Sequence, residues 1–451
     1  MKKKRDKRIK NENERVPAPA VSRKSRKKRV GCWVLAALTL VGAFFAGFGV
    51  RWWTLDSEMR ALINVKNKID EEYYWGLSDE EFYGALFDAV NNDLLDKYSA
   101  YLTEEDAVAS EQEIAGNRSG FGIEFITQTE TGEDQILITR VLGNSPAEEA
   151  GLRIGERIVG YGKDETSMTM EENSETFLDF LAQQGEGERF CLCVESAGGQ
   201  RFVETGKAAY VENNVFYRTS TKAYAFTGVQ AEKLTERGEP LTVLPEDTAY
   251  VRLIRFGGNA VSGMRAAMAL FKAQGKKNLI LDLRGNGGGY LEDMQEIAGY
   301  FCKTTEKEPV VAVADYGKRK EKFTASNVYA QYFSKDSRIC VIADEYSASA
   351  SECLIGCMVD YKTTEYGDIC LIENDGVAKT FGKGIMQSTY KLSWLRGDSI
   401  RLTTARILWP LSGNCIHDRG VLQSDGTKSV KQSYEGETEL ESAIKALFSA
   451  A

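Results

Sequence analysis

Glu345-Tyr346-Ser347-Ala348-Ser349-Ala350-Ser351-Glu352 is the stretch on which the reading of this chain turns. It follows the apolar run Ile339-Cys340-Val341-Ile342-Ala343, and after it Leu354, Ile355, Cys357, Met358 and Tyr361 recur at helical spacing. The pattern predicts strand, tight turn and helix. A small nucleophile on such a turn sits at a helix N-terminus, where unpaired N–H groups and the helix dipole stabilise an anion forming beside it. That is a setting for acyl chemistry. Serine, alanine and glutamate are also ordinary helix-start residues, so the octapeptide alone leaves both readings open.

Working outward, 249–254 reads as a strand, 264–272 as a helix and 278–283 as a buried strand. Next comes Arg284-Gly285-Asn286-Gly287-Gly288-Gly289, then a helix with Leu291, Met294, Ile297, Ala298 and Phe301 on one face. Strands alternating with helices predict a layered α/β domain. The glycine loop lacks the terminal Gly-Lys-Ser/Thr of a P-loop, and Tyr290 stands where a dinucleotide fingerprint needs glycine. What remains is a loop at the carboxyl end of a strand, facing a crevice. Two such loops meeting supply one nucleophile and two oxyanion donors.

A serine also needs a base. The single histidine, His417, is followed by Asp418, and a Ser-His-Asp triad would rest on it alone. The other candidate is Lys383 in Thr380-Phe381-Gly382-Lys383-Gly384-Ile385-Met386-Gln387, where two glycines bring the backbone close and Phe381 and Ile385 supply apolar walls. To act near neutral pH a lysine must drop about 2–3 units from roughly 10.4, a shift that burial can supply.

The rest of the chain sets these motifs in context. Its 451 residues leave room for two or three domains. Residues 1–30 hold 14 Lys/Arg against 3 Asp/Glu, leaving 43 basic and 63 acidic residues downstream, so the charge is segregated. Between them 31–50 carries no charge and is followed by Trp52-Trp53. Twenty residues at about 1.5 Å each match a hydrocarbon core of about 30 Å, and the tryptophans suit its interface. The expectation is an uncleaved anchor at 31–53, since the apolar part of a signal peptide runs only about 7–15 residues. The basic segment 1–30 then stays cytoplasmic and the remainder lies outside a cell membrane crossed once. Ala43 and Gly47 form a small-x-x-x-small pair that permits helix association and a homo-oligomer. Nine cysteines show no disulfide framework; without a C-x-x-C pair, and with one histidine, no metal is expected.

Residues 54–115 show apolar positions at helical intervals, such as Leu62, Val65 and Ile69, and read as a helical lead-in ending at 95–103, with no visible chemistry. Then Gly120-Phe121-Gly122-Ile123-Glu124-Phe125 opens alternating runs at 136–138 and 157–159 around Asn144-Ser145-Pro146-Ala147-Glu148-Glu149-Ala150-Gly151-Leu152. Thr169-x-x-Glu172 reads as a capping box leading into Phe177, Leu178, Phe180 and Leu181. This region, 116–206, resembles a PDZ domain. A glycine-flanked loop offering N–H groups to a terminal carboxylate, beside a groove for an extended peptide, is the mechanism that goes with it. The resemblance implies peptide binding at Gly120, Phe121, Gly122 and Ile123.

Taken together, Asp282-Leu283-Arg284-x-Asn286-x-Gly288-Gly289, Ser347-Ala348-Ser349-Ala350-Ser351-Glu352, Thr380-Phe381-Gly382-Lys383-Gly384-x-x-Gln387 and Leu402-Thr403-Thr404-Ala405-Arg406 resemble the carboxyl-terminal processing proteases, the S41 serine peptidases. The resemblance spans about 55–425. It implies Ser349 as nucleophile, chosen over Ser347 and Ser351 by the family pattern, Lys383 as general base, Gln387 as the residue orienting the lysine, and the N–H groups of Gly288 and Ala350 as the oxyanion hole. The chain departs from the pattern in lacking a proline before the paired glycines and in a longer interval from Ser349 to Lys383, with extra residues between Tyr361 and Thr380.

The expected architecture is an α/β, multidomain chain. The anchor and the helical lead-in precede a PDZ domain, then a peptidase core of the ClpP/crotonase-like type at 207–430 and a C-terminal helix within 431–451. The expected function is a membrane-anchored extracytoplasmic serine endopeptidase. It uses no cofactor, recognises protein or peptide substrates by their free C-termini, and has no nucleic-acid partner. Two other classes fit less well: a catalytically inactive, membrane-tethered PDZ scaffold, and a crotonase-like acyl-CoA enzyme.

Overall fold

The computed structural model describes residues 33, 39, 55–128, 134–170, 173–228, 230, 233–236, 242–392, 397–434 and 437–449. The chain divides into two units, 1–89 and 90–451. In the first, α1 (Ser57–Glu72) is capped by Asp56, whose side chain accepts from the Met59 N–H, and α2 (Asp79–Ala89) begins with three acidic residues that suit a helix N-terminus. Lys66 is buried between Asp70 and Asp79, with its Nζ 5.6 Å from the Phe82 ring centre. The basic segment 1–30 lies outside the described residues, and so does the expected anchor 31–53 apart from Trp33 and Thr39. Among the described residues no helix is long and apolar enough to cross a membrane.

The second unit starts with one π turn (Val90–Leu94), β1 (Ala100–Leu102) and α3 (Glu104–Ile114), which is capped by Thr103. Helical periodicity had implied helix up to 95–103; instead the Asn91 side chain bonds both the N–H and the C=O of Tyr101 and ends the turn.

A small sheet follows. Its elements are β2 (Asn117–Gly120), β3 (Ile123–Gln128), β4 (Asp134–Val141), β5 (Arg157–Gly162), α4 (Ser174–Gln183), β6 (Arg189–Ser196), β7 (Gly199–Gly206) and β8 (Ala208–Val211). Strands β3 to β7 lie side by side in sequence order, each antiparallel to the next, while β2 and β8 pair as a separate ribbon. Ile136, Ile138, Ile158, Phe190 and Leu192 alternate onto one face and pack with Phe177 of α4. The helix is capped by Asn173, which accepts from the Thr176 N–H; Thr169, the expected cap, is bridged to Tyr161 instead.

The larger layer contains β9 (Val215–Arg218), β10 (Ala223–Thr227), β11 (Lys233–Glu236), β12 (Thr248–Leu253) and β13 (Asn278–Asp282), with α5 (Ala260–Ala273) between the last two. After α6 (Leu291–Ala298), β14 (Val310–Asp315) and β15 (Lys320–Thr324) come β16 (Ile339–Ala343) and α7 (Ala350–Asp360). Then follow β17 (Ile369–Asn374), β18 (Val377–Ala378), β19 (Ile385–Lys391), β20 (Ser399–Leu408), β21 (Lys428–Lys431) and α8 (Thr438–Phe448). The sheet order is β11-β10-β9-β12-β13-β16-β17-β18, with β21 also on β17; β12, β13, β16 and β17 run parallel. Between Tyr361 and Thr380 lies β17, which enters the sheet beside β16.

Parallel strands covered on both faces read as continuous apolar runs, and the alternation assigns each residue to a layer. Leu279, Leu281, Val341, Ala343 and Leu371 pack with α5, α6 and α7, whereas Ile280, Cys340, Ile342, Cys370 and Ile372 pack with Leu440, Ala443, Ile444 and Leu447 of α8. A second sheet, β1-β20-β14-β15 with β19 on β20, stands against the first layer of helices. The indole of Trp409, just past β20, lies over Gly356 of α7: a Cβ there would come within 2.1 Å of the indole Nε1. Gly356→Ala is expected to lower the unfolding free energy by about 1–3 kcal/mol, the usual cost of overpacking, measured by urea denaturation.

Candidate active site

Ser349 joins β16 to α7 with φ 57° and ψ −112°, a conformation that a residue with a side chain holds only at a cost of about 1–3 kcal/mol unless its surroundings impose it. The surroundings are specific. Ser347 and Ser351 are both fully buried and give their hydroxyls to the glycine loop: Ser347 Oγ donates to the Leu283 carbonyl at 2.8 Å and Ser351 Oγ to the Asn286 carbonyl at 2.9 Å. The Ala348 N–H donates to that same Asn286 carbonyl at 3.0 Å. The hydroxyl of Ser349 takes no part in these ties. Three serines that the sequence alone could not rank are thus divided into two anchors and one available hydroxyl.

The glycine loop leaves β13 at Asp282, which is fully buried. Burial pushes this carboxyl up, but Arg284 at 2.5 Å outweighs it and holds the group at about 2. Arg284 reaches on to Glu439 of α8, so the root of the loop is fixed on both sides. Gly288 (φ 100°) is pressed against the serine: a Cβ on it would lie 2.8 Å from the Ser349 Cβ and 3.0 Å from the Ala350 nitrogen. Its N–H donates to Asn286 Oδ1 at 3.0 Å, whereas the Ala350 N–H begins α7, where a helix leaves its donors without backbone partners.

Lys383 arrives from the other side, on the turn entering β19. The connection is made by Glu352, one helical turn past Ser349 and wholly buried. Its Oε2 accepts from the N–H of Ser349 at 3.0 Å and of Lys383 at 2.8 Å; its Oε1 accepts from the Gly382 N–H at 2.7 Å and the Thr380 hydroxyl at 2.6 Å. Burial pushes the Glu352 carboxyl up from the usual range, and the Thr380, Lys383, Gly382 and Ser349 donors pull against it. Burial also holds the Lys383 ammonium below the ordinary lysine value; Arg401 adds to the depression, and Asp96 and Glu352 oppose it. Among the described residues the Lys383 Nζ donates no hydrogen bond, and it lies 5.2 Å from the centre of the Tyr98 ring.

Ser349, Lys383 and Gln387 line one cavity of about 60 Å³ whose other walls include Cys353, Ile407 and Trp409. The Gln387 Nε2 is buried with no partner among the described residues. His417 is not part of this lining: its Nε2 is 3.7 Å from Asp418 and its ring faces Tyr98, with centres 6.1 Å apart. Gly120, Phe121, Gly122 and Ile123 belong to the small sheet and do not line the cavity. There Gly120 (φ 150°) and Gly122 (φ 95°) flank a buried Phe121. The carbonyls of Phe121 and Gly122 accept from Ala147 and Leu142. Glu352 and Asn286 belong to the sequence motifs and Tyr98 to the 95–103 stretch, but none of them had a role in the sequence reading. Only Glu352 had a signal, the Ser-x-x-Glu spacing of a capping box.

A hydroxyl outside the ties of its neighbours, an amine whose charge burial disfavours, a helix N-terminus and an apolar cavity are the groups that acyl transfer calls for. Residues 247–424 match the model of Peptidase family S41. A protein of Staphylococcus saprophyticus assigned as a CtpA-like serine protease is 26% identical over 421 residues, covering 91% of this chain and 75% of its own length. Its counterpart in Staphylococcus aureus is 26% identical over 399 residues, covering 86% and 69%. A solved Bacteroides fragilis structure assigned to the S41 proteases shares the fold, with a TM-score of 0.50 and 16% identity, covering 82% of this chain and 90% of that one.

Glu352→Gln replaces one accepting oxygen by an amide nitrogen that cannot accept. It is expected to lower stability by about 2–4 kcal/mol, since each buried donor left unpaired costs about 1–3 kcal/mol. Chemical denaturation beside the wild type measures it.

Proposed function

Residues 247–424 form a peptidase family S41 domain and the chain is a serine-type protease; on that premise we propose a membrane-anchored, extracytoplasmic endopeptidase that works through a Ser349–Lys383 dyad. The observation that carries this reading is the Glu352 carboxylate, one oxygen of which receives the backbone N–H of both residues. Ser349 Oγ attacks the scissile carbonyl while neutral Lys383 takes its proton; the lysine then returns that proton to the leaving amine, and water completes the cycle against the acyl-enzyme. Gln387 lines the same cavity and orients the lysine by accepting one N–H of its neutral amine, which leaves the lone pair to take the serine proton. The oxyanion is received by the Ala350 N–H and by Gly288, whose N–H must leave Asn286 Oδ1 to serve.

The small sheet acts as a PDZ domain. Supporting this, among the described residues β3 pairs only with β4 and so offers an open edge, and a glycine-flanked loop precedes it, next to a helix whose Phe177 ring centre lies 5.7 Å from that of Phe125. An extended peptide adds to such an edge while its carboxylate meets the loop at Gly120, Phe121, Gly122 and Ile123. Substrates are then exported proteins recognised by their C-termini. The uncharged 31–50 stretch and the basic segment before it support the anchor and its orientation.

The full chain in detergent micelles is expected to cleave unfolded casein and peptides with apolar C-termini, with Ser349→Ala and Lys383→Ala each slower by about 10³-fold or more. For the wild type, kcat/KM should rise with pH through a midpoint below the free-lysine value of about 10.4, because the depressed group is the one that must lose its proton. Cleavage by all three proteins alike would remove the dyad. Folded protein that binds C-terminal peptides without cleaving anything would favour the tethered scaffold. Carbonate extraction and protease shaving of intact cells test the anchor: the chain should stay with the membrane and be digested from outside.

A further inference from the structure

The segment Leu95-Asp96-Lys97-Tyr98-Ser99 shows no chemistry in its sequence, yet the fold delivers it to Lys383. Two sets of bonds do this. Asp96 Oδ1 accepts from the Tyr98 N–H at 2.9 Å and from the Thr403 hydroxyl of β20 at 3.2 Å. Ser99 Oγ accepts from the Thr403 N–H at 2.8 Å, and β1 then pairs with β20, Ala100 opposite Arg401. Tyr98 is therefore pinned to the strand that flanks β19, with its ring centre 5.2 Å from Lys383 Nζ and 6.1 Å from the centre of the His417 ring.

We propose that Tyr98 is a positioning residue for Lys383, its ring closing the lysine's pocket to water and keeping the amine neutral and turned toward the cavity it shares with Ser349. The proposal rests on the Ser349–Lys383 reading above. Two effects of the ring oppose each other. Its face attracts a cation, which favours the charged amine. Its body also excludes the water that would solvate an ammonium, which favours the neutral one. The second wins because Nζ donates no hydrogen bond among the described residues, so the water kept out by the ring is the solvation a charged amine would need. The Lys97 Nζ lies 5.0 Å from the same ring centre, and Arg401 is the cation whose charge adds to the depression of Lys383. The charged and titratable groups facing this lysine are Asp96 and Lys97 on its covering segment, Arg401 on β20, Glu352 on α7, and His417 and Asp418 on the turn behind Tyr98. The net direction of the Lys383 shift, downward with burial as its first cause, agrees with this.

The test uses the full chain, as wild type, Tyr98→Phe, Tyr98→Ala, Tyr98→Leu and Lys383→Ala. Two readouts are followed from about pH 6 to about pH 10.5, spanning the free-lysine value. One is kcat/KM on a peptide substrate. The other is acetylation of Lys383 by acetic anhydride, quantified by peptide mass spectrometry, which reads the amine's ionisation whether or not it acts as a base. Tyr98→Ala is expected to move both midpoints up by about one unit, giving about tenfold lower kcat/KM on the acidic limb that recovers above the new midpoint. Tyr98→Phe should keep the wild-type midpoint. If thermal melting shows Tyr98→Ala unfolded, Tyr98→Leu serves in its place. A midpoint that stays put while the rate falls equally at every pH, or one that moves down, overturns the proposal. Should Lys383→Ala stay fully active while acetylation still shifts with Tyr98, the dyad fails and the coupling of Tyr98 to the lysine stands.

Discussion

A single buried carboxylate holds this site together. Glu352 takes four donors, two on each oxygen, and they come from both sides of the cleft: Ser349 from the start of α7, and Thr380, Gly382 and Lys383 from the turn before β19. Burying a charge is costly unless every lone pair is used, and here charge-assisted bonds to backbone and hydroxyl offset that cost. The arrangement also explains how Ser349 keeps its unfavourable φ. Its N–H is bound to Glu352, its neighbours Ala348 and Ser351 are bound to the Asn286 carbonyl, and Gly288 presses on it from the front. With both ends fixed the serine has one conformation left, and its hydroxyl is the group left over.

Adjacency in the sheet supplies what the carboxylate then fixes. β12, β13 and β16 are parallel neighbours, so their carboxyl ends open at one edge, where sites in such sheets are found. Past β12, Phe256 exchanges backbone bonds with the glycine loop that follows β13, giving its N–H to Gly288 and accepting from Tyr290. A Cβ at Gly289 would lie 1.9 Å from the Phe256 oxygen, which is why that position carries no side chain. Past β16, Asp344 accepts from the Gly285 N–H, joining the second loop to the third. Burial pushes the Asp344 carboxyl up, and the Gly285 N–H and the Ser347 hydroxyl pull against it.

Much of this could be read from residues. The apolar runs at 278–283 and 339–343 gave strands, the spacing after Ser349 gave a helix, and the closing helix near the C-terminus lies at Thr438–Phe448. Local rules failed where a distant partner decided the outcome. The helical lead-in was expected to end at 95–103 with no further element, but pairing with Ile400, some 300 residues away, makes Tyr101 part of a strand. Thr169 had the right spacing for a cap, yet Asn173 sits closer to the first turn and takes the bond. Ser347, Ser349 and Ser351 are indistinguishable as letters; only the loop they face separates them. The contact of Tyr98 with Lys383 had no sequence signal, because it joins positions far apart in the chain. The anchor expected from composition at 31–53 lies almost wholly outside the described residues.

The pairing of β1 with β20 has a consequence in time. A ribosome delivers Tyr98 early, but Thr403 and Arg401, which hold it against Lys383, come some 300 residues later. Contacts of such separation in a chain form late, after the loop between them has closed. Ser349 and Lys383 are themselves made shortly before Thr403, so Tyr98 waits for its partners until most of the chain exists. The contact between Tyr98 and Lys383 therefore belongs to the last part of the polypeptide to be made.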